Sequence, residues 1–158
     1  MYILIIILLV AIDQLTKFLI SNNMITGQSI PIIENLFYFT YIYNPGAAFG
    51  IMYGQRVVLT VITASLIIGI LIFIYTKARK EHFLFPLSLA IICGGGLGNL
   101  IDRVRIGAVV DFFDVTFFSP IFNVADVFVC IGCGLLVIYM IFFDKPKEDV
   151  VDDAAAEV

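Results

Sequence analysis

Apolar residues run in long, nearly unbroken stretches, and the few ionisable residues inside them fall near stretch ends. Four runs stand out, at residues 2–20, 57–76, 83–105 and 123–143. A helix crossing the hydrocarbon core needs about 20 mostly apolar residues, so the pattern predicts four transmembrane helices. The first run lacks a basic leader and an A-x-A-like cleavage site, and reads as a retained span. Between the first two runs, residues 21–56 change character. The stretch "SIPIIENLFYFTYIYN" at 29–44 is rich in aromatic and β-branched residues and partly alternates, which predicts short strands with tyrosines suited to a membrane interface. The following "NPGAAFG" at 44–50 is turn chemistry and then small residues. The expected fold class is an all-α integral membrane protein. One domain, residues 1–144, holds four helices and a small extracytoplasmic β-rich segment between helices 1 and 2. Residues 145–158, "KPKEDVVDDAAAEV", read as an acidic, disordered cytoplasmic tail.

Composition sharpens this picture. The chain is 61% hydrophobic and 14% charged, against about 45–50% and about 25% for soluble domains. The net charge of −4 says little about partners, because five of the 13 acids follow residue 147. There is no basic patch or nucleic-acid motif. Loop charges set orientation: Lys77, Arg79, Lys80, Lys145 and Lys147 oppose Arg56, Arg103 and Arg105, which favours both termini in the cytoplasm. Cys93, Cys130 and Cys133 all lie inside apolar runs. The C-x-x-C at 130–133 has no second ligand pair, and the only histidine, His82, sits in a charged loop. Neither metal nor cofactor is expected.

Ionisable groups at membrane depth are costly and point to function. Asp13 and Lys17 share one face of span 1 at i, i+4, as an internal ion pair would, with Lys17 reaching outward. Span 3 ends in Asn99, Asp102 and Arg103, again on one face, after Gly94, Gly95, Gly96 and Gly98, whose bare surface suits close helix packing. Gly107 suits the end of that helix. Span 4 opens with Asn123 and Asp126, spaced as a capping box. Asp111 lies in the short link between spans 3 and 4. The topology brings these groups to one level near the outer surface, and a shared polar site accounts for them better than separate helix caps.

No histidine, cysteine or zinc ligand set accompanies them there, which leaves carboxylates as the hydrolytic device. Two that share a proton can act as acid and base. The same groups also suit a relay in a small ion- or proton-coupled transporter. That reading needs polar residues through the whole membrane depth, yet spans 2 and 4 have no ionisable residue in their inner halves. A third reading is a scaffold whose acids cap helices. Asp114, three residues from Asp111, shares a face with it if 108–115 is helical and points away if it is extended.

Five blocks, in order, resemble the lipoprotein signal peptidases (signal peptidase II): "DQLTK" at 13–17, "YNPGAAFG" at 43–50, "GGLGNLIDR" at 95–103, "VVDFFDV" at 109–115 and "FNVAD" at 122–126. The resemblance covers nearly the whole chain before the tail. It implies a bacterial inner-membrane aspartic endopeptidase that cuts diacylglyceryl-modified prolipoproteins just before the lipidated cysteine. Its catalytic pair falls on Asp111 and Asp126. Asp13, Lys17, Asn44, Asn99, Asp102, Arg103 and Asn123 fall on supporting or substrate-facing positions, and Asp114 is left a bystander. The implied partners are lipidated prolipoproteins and membrane lipids, for a monomer with its site near the extracytoplasmic face.

Overall fold

The computed structural model describes residues 1–46 and 54–144. Positions 47–50 of the turn block and the tail 145–158 lie outside the described residues. Four helices form: α1 (Tyr2–Asn23), α2 (Arg56–Thr76), α3 (Leu84–Arg105) and α4 (Val124–Phe142). Each is long and apolar enough to cross a membrane. The limits match the expected spans within three residues at every end.

α3 is the central helix: 44% of its most apolar window is buried, against 17% in each of the other three. Its small residues explain this. A Cβ on Gly94 would come within 2.9 Å of Leu9, and one on Gly95 would collide with the Ala125 carbonyl. From the α4 side, a Cβ on Gly132 would lie 2.6 Å from Ile92. Lipid offers no hydrophobic drive for helices to associate, so close backbone approach and polar contacts must hold them. Ile6, Ile67, Ile74, Leu89, Ala90 and Cys93 pack α1 and α2 against α3. Leu4, Leu66 and Met140 face outward and are largely exposed, as lipid-facing positions would be.

At one end of the bundle sits a four-stranded antiparallel sheet in the order β1 (Ser29–Ile33), β2 (Phe37–Asn44), β3 (Val109–Val115), β4 (Phe118–Phe122). The expected all-α class, with one β segment between helices 1 and 2, needs correcting here. Half of the sheet comes from the α3–α4 connection, and "VVDFFDV" is extended. β2 and β3 pair although they are far apart in sequence, with Ile42 opposite Asp111 and Tyr38 opposite Asp114. A register shift between Phe39 and Ile42 separates the two halves of that pairing. Pro31 lies in edge strand β1 and Pro120 in edge strand β4, where a missing N–H costs no ladder bond and discourages pairing with other chains. The other face packs on the end of α1 through Met24, Tyr41, Val110 and Phe112.

Candidate active site

The sheet end of the bundle holds the polar residues that the sequence pattern brought together. Asp13, Asp111 and Asn123 are at most 2% exposed, and Lys17, Asn99 and Asp102 are buried with them. Among the described residues, no buried side-chain nitrogen or oxygen lacks a hydrogen-bond partner. Such groups are tolerated at depth only when fully satisfied.

Lys17 anchors the cluster. Its Nζ lies 2.9 Å from Asp13 Oδ2 and 2.8 Å from Asp102 Oδ2, and it donates to Asn99 Oδ1 at 2.9 Å. These three contacts match an ammonium's three protons. The expected Asp13–Lys17 pair therefore forms, but Lys17 turns inward and does not reach toward the surface. Because Asn99 Oδ1 faces Lys17, its Nδ2 turns the other way and donates to Asp126 Oδ1 at 2.8 Å. The N–H of Asn123 donates to Asp126 Oδ2 at 3.1 Å, and the N–H of Asp126 returns a bond to Asn123 Oδ1 at 3.1 Å. Asp126 thus completes a capping box and also faces the buried cluster. The capping-box reading of this residue holds.

Asp111 receives two amides. Asn44 Nδ2 donates to Oδ2 at 2.9 Å and Asn123 Nδ2 to Oδ1 at 2.6 Å. The first contact follows from register. Asn44 stands opposite Val109, so it is the diagonal cross-strand neighbour of Asp111 on the same face. Asn123 ties the two carboxylates together, its side chain on Asp111 and its backbone on Asp126. Burial pushes the Asp111 carboxyl up to about 6. The nearby negative charge of Asp126 adds to this, while the Asn44 and Asn123 bonds and the Lys17 charge oppose it. The guanidinium of Arg103 lies within electrostatic range of Asp126, Asp111 and Asp102, and its Nη2 donates to the Gly46 carbonyl at 3.3 Å.

Asp13 and Asp102 act on backbone. Asp13 Oδ1 accepts the Ala125 N–H at 3.0 Å, in the first turn of α4, where a negative charge is favoured. Asp102 Oδ2 accepts the Val110 N–H at 3.2 Å, one residue before Asp111. Gly98 leaves room for this arrangement, since a Cβ there would collide with Asp13 Oδ2. Every site residue expected from the sequence therefore joins one cluster.

Two participants escaped the sequence reading. Gln14 Nε2 donates to Asp13 Oδ2 at 3.2 Å, to Asp102 Oδ1 at 3.1 Å and to the Gly98 carbonyl at 3.1 Å. Its place inside "DQLTK" was the available signal. Arg56, at the start of α2, binds carbonyls at the end of α3 beside Arg103, and loop charge alone gave no hint of that. Asp114 stands apart, accepting from Thr40 Oγ1 at 2.6 Å. His82 lies at the other end of the bundle, stacked 4.2 Å from Phe143. No group of three or more His, Cys, Asp or Glu placed to hold a metal ion occurs among the described residues.

A four-helix membrane bundle with a polar site beneath a small sheet defines the class. A solved structure described as a bacterial membrane enzyme superposes with a TM-score of 0.82 at 34% identity, covering 99% of this chain and 93% of that one. A second such structure gives 0.80 at 35% identity, covering 89% and 92%. The particular family follows from sequence. A family model described as signal peptidase (SPase) II matches residues 5–142. A lipoprotein signal peptidase of Clostridioides difficile (strain 630) is 44% identical over 146 residues, 92% of this chain and 97% of that protein. One of Bacillus subtilis (strain 168) is 45% identical over 153 residues, 94% and 97%. The chain belongs to the signal peptidase II family and is a peptidase.

Proposed function

We propose that this peptidase is of the aspartic type. It removes the signal peptide from diacylglyceryl-modified prolipoproteins by cleaving just before the lipidated cysteine. It works in the bacterial inner membrane with both termini in the cytoplasm and the sheet on the outer side. The observation that carries the mechanism is the bridging of buried Asp111 and half-buried Asp126 by one residue, Asn123.

Two carboxylates bridged in this way are placed to act together, one as base and one as acid. The ionised member takes a proton from water as the oxygen attacks the scissile carbonyl. The protonated member gives its proton to the carbonyl oxygen, forming a neutral tetrahedral diol. Collapse of the diol returns a proton to the leaving nitrogen, breaks the C–N bond and restores the pair. Asn44, Asn99 and Asn123 hold the carboxylates in place. Arg103 supplies positive charge where negative charge develops.

Cleavage of a diacylglyceryl-modified lipobox peptide by the purified protein in micelles tests this reading. Asp111→Asn and Asp126→Asn should each lower turnover by about 10³-fold while leaving the fold intact. Chelators and thiol reagents should have no effect. Sustained cleavage by either variant would remove the dyad.

A further inference from the structure

Arg56 is the first residue of α2. A cation there faces the positive pole of its own helix, which disfavours it. Its guanidinium instead serves a neighbour. Nε donates to the Arg103 carbonyl at 2.9 Å and Nη2 to the Val104 carbonyl at 2.8 Å. These carbonyls belong to the last turn of α3, which has no intrahelical donors left for them and whose negative pole attracts a cation. The turn leaving α3 is shaped to receive the group. Gly107 has φ +84°, and a Cβ on it would lie 2.9 Å from Arg56 Nη1. Gly107 thus provides both a left-handed turn and the space that the guanidinium fills.

From the clamped end of α3, hydrogen bonds lead to Asp111. Arg103 Nη2 holds the Gly46 carbonyl at 3.3 Å. The Gly46 N–H donates to Asn44 Oδ1 at 3.0 Å. That bond turns Asn44 Nδ2 toward Asp111 Oδ2, 2.9 Å away. We propose that Arg56 is a positioning residue for Asp111, acting by clamping the end of α3 so that Arg103, Gly46 and Asn44 keep the Asn44 amide on that carboxylate. This rests on the Asp111–Asp126 reading above.

The consequence is visible in pH dependence. Asp111 is faced by Asn44 from β2, by Asn123 and Asp126 from α4, by Lys17 from α1 and by Arg103 from α3. Donation from Asn44 favours the ionised carboxylate. Releasing the clamp weakens that donation and moves the upper apparent pKa of the pair upward.

The test uses purified full-length protein in micelles and a diacylglyceryl-modified lipobox peptide, with kcat, KM and pH profile measured for wild type and variants. Arg56→Ala should lower kcat about tenfold through lost positioning, with KM within about twofold, and move the alkaline limb of the profile to higher pH. Arg56→Lys, which restores one donor, should recover part of both effects and covers the case in which the alanine variant folds poorly. Asn44→Ala should shift the profile the same way, and adding Arg56→Ala to it should change little further, as expected for residues on one path. An unshifted profile in Arg56→Ala, or additive effects in the double variant, would overturn the proposal. Asp111→Asn in the same assay separates the two readings. If its turnover falls about 10³-fold while Arg56→Ala behaves as wild type, only the positioning role fails; if it cleaves at close to the wild-type rate, the dyad fails first.

Discussion

Asp111 and Asp114 lie three residues apart on one strand and meet opposite environments. Asp111 is buried among amides from β2 and α4, next to a second carboxylate. Asp114 is half-buried and holds the hydroxyl of Thr40, which in turn lies 2.8 Å from that of Ser29. The single hydroxyl proton of Thr40 goes to Asp114, so Ser29 must donate to Thr40. This makes a directed ladder across three strands. An odd spacing on an extended strand sends two side chains to opposite faces. The same functional group therefore becomes a candidate acid–base residue in one place and a strand fastener in the other. What separates them is desolvation and the partner set.

The largest expected effect on this contrast is Asp111→Asn, which should lower turnover by about 10³-fold, within the usual range for losing an acid–base group, measured on the lipidated peptide. Next is Gly98→Ala. Its methyl would strike the Asp13 carboxylate and disturb the buried Asp13–Lys17–Asp102 cluster. Breaking such a pairing costs of order 3 kcal/mol, so the melting temperature in micelles should fall clearly and activity with it.

A smaller effect concerns pH and stability. The folded-state pKa of Asp111 is raised from 3.8 to about 6, so the folded protein binds extra proton between those values. The stability this contributes is complete below 3.8 and lost as pH rises through about 6, amounting to about 3 kcal/mol at most. Thermal melts from pH 4 to 7 should therefore decline in the wild type with a slope that Asp111→Asn reduces. The smallest effect belongs to Asp114→Asn, which weakens one half-buried hydrogen bond worth about 1 kcal/mol and should leave kcat within about threefold.

Much of this was legible in the chain. The four spans follow from apolar length alone. The clustering of Asp13, Lys17, Asn99, Asp102, Asn123 and Asp126 follows from where those spans end. Asp126 shows why local pattern needed topology beside it, since the capping-box reading was right and did not exhaust the residue. β3 and β4 were harder to see. "VVDFFDV" has no clean alternation, "FSPIF" carries a proline, and their stability comes from pairing with β2, a partner far away in sequence that no local window contains. Arg56 was invisible as a cap for the same reason, because the carbonyls it holds are more than 40 residues away along the chain.

Asp13 and Ala125 are joined across 112 positions, so α1 supplies a carboxylate that caps α4. Asp111 and Asp126 likewise wait for α4 before Asn123 can bridge them. On the dyad proposed above, the growing chain carries separated parts of a protease and no assembled one. An unfinished polypeptide released into the membrane would then be inert toward its neighbours, with proteolytic competence arriving only when α4 docks.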